Sequence, residues 1–94
     1  MEELTLTVVY TAKPGMRQAF VDEVVARGIL DKIRAEEGCI AYDYYASEDD
    51  IDRLMLIEKW ATPAHQEAHM TQPHMQELSA IKARFIDGTK TCRY

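Results

Sequence analysis

At 94 residues, the chain is one domain's length, able to bury roughly 60–70% of its unfolded surface with little to spare. Its 11 basic against 16 acidic residues leave a net charge of −5 with no cluster of Lys or Arg, so duplex nucleic acid and anionic membrane are poor partners. No apolar run nears the roughly 20 residues of a membrane span, and Met1-Glu2-Glu3 is not followed by a signal-peptide core, so a cytoplasmic location is expected.

In chain order, Leu4 to Thr11 alternates Leu4, Leu6, Val8 and Tyr10 against Thr5, Thr7, Val9 and Thr11, which predicts a strand ended by Lys13-Pro14-Gly15. From Met16 the period becomes helical through Phe20, Val24, Leu30 and Ile33, with Gly28 loosening the middle and Gly38 suited to the left-handed cap. A second strand follows over Cys39–Ala46, with Ile40, Tyr42 and Tyr44 on one face. The polar turn Ser47-Glu48-Asp49-Asp50 then leads into a third strand, from about Asp52 to Trp60. Two short helices are predicted at about Pro63–Met70 and Pro73–Ala83, then a fourth strand over Thr89–Tyr94.

The order strand, helix, strand, strand, helix, strand is the split β-α-β arrangement of an α+β fold, an antiparallel sheet with helices on one face. The third strand adds a second expectation. It sets Leu54, Leu56, Glu58 and Trp60 on one side and Met55 and Ile57 on the other, so both sheet faces read apolar. A second copy of the chain is the expected cover, giving a homodimer packed sheet against sheet.

Chemistry concentrates between Glu58 and Met75, which hold a carboxylate, the only tryptophan and all three histidines. Thr62 and Pro63 mark a helix start, His65 and His69 lie one turn apart, and Pro73 forces a corner before His74. His65 and His69 have metal-ligand spacing, but Gln66 stands where the zinc-protease pattern requires Glu, and no third ligand is evident. No metal site is therefore expected. Cys39 and Cys92 lack C-x-x-C spacing and read as reduced, packed thiols, with a disulfide between them the weaker option.

The runs Glu36-Glu37-Gly38-Cys39-Ile40-Ala41-Tyr42, Ile57-Glu58-Lys59-Trp60, His65-Gln66-Glu67-Ala68-His69 and Gln72-Pro73-His74-Met75 resemble the antibiotic biosynthesis monooxygenase family, particularly its small quinol monooxygenase branch. The resemblance covers nearly the whole chain, residues 1–94 being one such domain. It implies a dimeric α+β barrel of ferredoxin-like protomers, each with a pocket between sheet and helices. It also implies, from the best-known members, oxidation of phenols or quinols by dioxygen with no metal or organic cofactor. Other members degrade haem or isomerise small phosphorylated signals. Haem-degrading relatives rely on an asparagine, and this sequence contains none.

The residues fit that chemistry. Deprotonating an aromatic diol makes it a better reductant of dioxygen, so the reaction needs a base and an apolar pocket. His69 is the expected base, with Glu58 as its partner. The competing account of Glu58 is a buried carboxylate bonded to backbone amides. Trp60 is the expected aromatic wall, with Tyr42, Tyr44, Phe20, His65 and His74 as further substrate contacts; ordinary packing is the alternative for each. Two other functions remain open: a non-catalytic dimeric small-ligand-binding or stress-response module, and an isomerase of a small carbonyl compound.

Overall fold

The computed structural model describes residues 3–94. Its elements run β1 (Leu4–Ala12), α1 (Arg17–Ala26), α2 (Ile29–Arg34), β2 (Cys39–Ala46), β3 (Arg53–Trp60), α3 (Pro63–His69), α4 (Pro73–Phe85) and β4 (Ile86–Arg93). The strands form one antiparallel sheet in the order β2-β3-β1-β4, the ferredoxin-like topology in which each crossover helix spans a neighbouring strand.

Strand period decides what each sheet face does. Leu4, Leu6, Val8 and Tyr10 of β1 and Leu54, Leu56, Glu58 and Trp60 of β3 are all buried on the helix side. Against them pack Phe20 and Val24 of α1, Ile29 and Ile33 of α2, and Leu78 and Ile81 of α4. Truncating a ring such as that of Phe20 to Ala would cost about 3–5 kcal/mol. Among the described residues, no helix covers the opposite face. There Tyr45 and Met55 remain 51% and 37% exposed, with Val9 and Ile57 beside them half-buried.

Four local features depart from the sequence reading. Gly28, at φ +71°, divides the long first helix into α1 and α2, since only a residue without Cβ turns there without strain. A register shift between Cys39 and Ala41 makes Ile40 a bulge, so Ile40 is half-exposed and does not share the buried face of Tyr42. α4 runs on to Phe85 and passes directly into β4 at Ile86, placing Asp87 and Gly88 inside the strand, where the pairing with β1 is also irregular. Both cysteines are free; Cys39 is half-buried and Cys92 is exposed, on opposite edge strands, so Cys92 is not a packed thiol.

Candidate active site

The site is built on one cross-strand row. Leu6, Glu58 and Tyr42 are register partners on β1, β3 and β2, and all three floor a cavity of about 150 Å3 beneath α3 and α4. Gln66, His69, Met70 and Met75 cover it, Lys82 reaches it from α4, and Thr89 and Thr91 of β4 bound its far side.

Helix starts place the covering residues. Thr62 caps α3 by accepting from the His65 amide at 3.2 Å, Pro63 takes the first turn, and the chain leaves α3 so that His69 points down at the sheet. Pro73 holds Gln72 extended, at φ −69° and ψ 143°, and this corner brings His74 back toward His69.

The side chain that joins the two imidazoles is Glu36, from the turn between α2 and β2. Its Oε2 accepts from His69 Nδ1 at 2.9 Å and from His74 Nε2 at 2.7 Å. The His69 side chain is 1% exposed, whereas Glu36 and His74 are 10% and 12% exposed, so Glu36 and His74 lead outward and His69 is sealed. An ionised carboxylate only accepts, so the neutral form of His69 carries its hydrogen on Nδ1 and leaves Nε2 as the acceptor. No described residue bonds that Nε2, and the ring lines the cavity. The carboxylate thus fixes the orientation of the imidazole.

Glu58 does a different task from the one expected. It accepts from the Trp60 indole N–H at 2.9 Å, and the His69 ring lies on the indole at 4.6 Å and 36°. The carboxylate hydrogen-bonded to His69 is therefore Glu36 rather than Glu58. Trp60 is fully buried behind His69 and backs the imidazole instead of walling the cavity. Of the eight residues expected at the site, Glu58, His69 and Tyr42 line the cavity.

The other expected contacts are placed elsewhere. Phe20 and Tyr44 pack in the core, their rings 5.9 Å apart. His74 bonds Glu36 on the outer side of His69. His65 is tied to Thr62 at 2.8 Å and lies against Gly38, facing an outer groove with Glu36, Glu37, Ala68 and Gln72. Gly38, at φ +82°, is required there, because a Cβ would collide with the His65 ring.

Sequence reasoning missed Glu36, Tyr10 and Lys82. Lys82 Nζ lies 5.5 Å from the Tyr10 ring centre. Burial pulls its pKa down and Glu58 partly restores it, while burial, with Glu58 second, pushes the Tyr10 hydroxyl well above its ordinary range. The one sequence signal for Tyr10 and Lys82 was their position on faces that otherwise turn inward. Glu36, His69 and His74 also bring one carboxylate oxygen and two ring nitrogens within 4.8 Å of one another, a donor set able to hold a metal ion.

The model of the family described as antibiotic biosynthesis monooxygenase matches residues 4–80, a span holding Glu36, Glu58, His69 and His74. The chain belongs to the antibiotic biosynthesis monooxygenase family. Among its relatives, the Escherichia coli K12 protein named "Probable quinol monooxygenase YgiN" is 33% identical over 95 aligned residues, covering 89% of each chain. The crystal structure of PA3566 from Pseudomonas aeruginosa matches with a TM-score of 0.87 at 29% identity, over 100% of this chain and 93% of that one. Rv0793 from Mycobacterium tuberculosis shares the fold with a TM-score of 0.85 at 22% identity, over 99% and 93% of the two chains. Membership of the antibiotic biosynthesis monooxygenase family supports a monooxygenase-type function, and no helix among the described residues is long and apolar enough to cross a membrane.

Proposed function

We propose that this family member is a cytoplasmic, cofactor-independent monooxygenase that oxidises a quinol or phenolic small molecule with dioxygen. The observation that carries the reading is His69, whose Nδ1 is held by Glu36 while Nε2 is left for a cavity floored by Leu6, Tyr42 and Glu58. His69 takes a hydroxyl proton from the bound quinol, leaving an electron-rich quinolate that dioxygen oxidises. One oxygen atom joins the ring and the other leaves as water, with the quinol supplying all four electrons, so no external reductant enters. Lys82, beside Tyr10 and with its charge partly desolvated, favours the anionic form of the substrate. The test is oxygen uptake by chelator-treated protein with a panel of quinols. Uptake that depends on His69 supports the reading, and no uptake with any quinol rejects it.

The working assembly in this proposal is a homodimer through the uncovered sheet face, where Val9, Tyr45, Met55 and Ile57 of β1, β2 and β3 leave apolar surface. Light scattering at micromolar concentration is expected to give twice the chain mass, and Met55→Asp to give the single-chain mass.

An isomerase of a small carbonyl compound is the second reading. It is favoured by two groups able to carry a proton, His69 and Glu58, lining one cavity. Solvent-deuterium exchange into a hydroxyketone without air would identify it.

A further inference from the structure

We propose that Glu36, His69 and His74 form a binding site for a divalent transition-metal ion of the Zn2+ or Co2+ type, and that occupancy turns the cavity nitrogen of His69 from acceptor to donor. Two imidazoles and one carboxylate are a donor set that suits borderline ions of this kind. One oxygen, Glu36 Oε2, stands 2.9 Å from His69 Nδ1 and 2.7 Å from His74 Nε2, spacings close to those of neighbouring ligands around one ion with metal bonds of about 2.0–2.1 Å. All three donor atoms fall within 4.8 Å.

The donors are held before any ion arrives. His69 is fixed between Trp60 and Tyr42, at ring separations of 4.6 and 5.8 Å, and the Pro73 corner fixes His74. The entry path is separate from the substrate cavity. Glu36 borders the outer groove it shares with Glu37 and Gln72, whereas the His69 ring lines the cavity, so an ion has a route to the Glu36-bonded Nδ1 that does not pass through the cavity.

The ion replaces two hydrogens at the centre of the triad. The neutral rings respond by carrying their hydrogen on the opposite nitrogen, Nε2 in His69 and Nδ1 in His74, through exchange with water. A bound ion therefore removes the lone pair that the proposed reaction uses. This last consequence rests on His69 being the base; the binding site does not.

The experiment titrates chelator-treated protein with Co2+ and Zn2+, following Co2+ absorption, heat, and the emission of Trp60, the only tryptophan. Imidazole 15N spectra of His69 are recorded in parallel. One equivalent per chain is expected, with quenching of Trp60 by Co2+ and protonation of Nε2 on Zn2+ binding. Glu36→Gln and His74→Ala are each expected to weaken binding about a hundredfold, the upper end of what even an outer partner of a ligand costs. Cys92→Ser, which removes the exposed thiol, is expected to bind unchanged. Circular dichroism confirms that each variant is folded, and if His74→Ala is not, Glu36→Gln decides alone. Absence of saturable binding, or equal binding by folded Glu36→Gln, overturns the site. An unprotonated Nε2 in the Zn2+-saturated protein overturns the switch. Both readouts stand whether or not any quinol is oxidised, whereas failure of oxygen uptake in metal-free protein counts against the proposed function alone.

Discussion

Glu36 and Glu58 grip opposite members of one stacked pair of rings, and they do so by different routes. Glu58 holds the Trp60 indole from two residues away on the same strand face, a contact that strand period alone delivers. Glu36 holds the His69 imidazole from 33 residues away, across the β2-β3 hairpin and α3, and shares the same oxygen with His74. The Glu58 arm fixes the backing of the site, while the Glu36 arm selects which nitrogen of His69 is left without a partner. A carboxylate lining the cavity is therefore not the one that orients the imidazole beside it.

Cutting the imidazole arm should do the most damage. His69→Ala is expected to lower the oxygen-uptake rate by about 100- to 10,000-fold, the range for a positioned base. Glu36→Ala should fall within that range, because the ring remains but its tautomer is no longer set. Steady-state oxygen-electrode rates measure both. If Glu58→Gln is as damaging as Glu36→Ala, the two arms have been assigned the wrong way round.

Gly38→Ala separates the two arms without touching either carboxylate. A side chain at φ +82° costs about 1–3 kcal/mol in backbone strain, and its Cβ meets the His65 ring, so α3 must move from the turn that carries Glu36. Urea unfolding should show a loss of at least that size, and the His69 Nδ1 proton resonance should shift. The indole N–H resonance of Trp60, held by Glu58 on β3, should stay near its wild-type position.

The contrast between the arms also explains what was legible in the sequence. Alternation along β1 and β3 announced the buried row Leu54, Leu56, Glu58 and Trp60, and Thr62-Pro63 and Gln72-Pro73 announced both helix starts, because these signals are local. Glu36 read only as a helix end. Nothing within a turn of it marks the imidazoles, since the contact forms only after the β2-β3 hairpin and α3 have folded over. The same limit applied to Trp60, whose strand face was legible while the ring stacked on it was not. At Ile40, alternation pointed inward and a bulge reversed it, a tertiary adjustment that period cannot carry.

Cutting the indole arm should cost stability before it costs chemistry. Glu58→Ala leaves the Trp60 N–H buried with no acceptor, a loss of about 1–3 kcal/mol in urea unfolding. Glu58→Gln restores an acceptor of the same reach and should recover most of that loss. Should Glu58→Ala unfold at the wild-type midpoint, the indole has found water from the cavity and the arm contributes nothing to stability.

The smallest effect is expected at Tyr44, the ring between Phe20 and Tyr42 whose hydroxyl is the one buried side-chain polar atom without a partner among the described residues. Burial raises its pKa, so the hydroxyl keeps its proton and is a donor with no acceptor. Tyr44 pairs with Leu56, one row from Tyr42 and Glu58, and its hydroxyl bonds neither carboxylate. Removing an unsatisfied group while keeping the ring should be neutral or stabilising by up to about 1 kcal/mol, so Tyr44→Phe should raise the urea midpoint slightly or leave it unchanged. A loss of more than 1 kcal/mol would mean that the hydroxyl is bonded after all, through water, to a group in the core. Glu58 would then serve a tyrosine as well as the indole, and the two-arm division would need a third member.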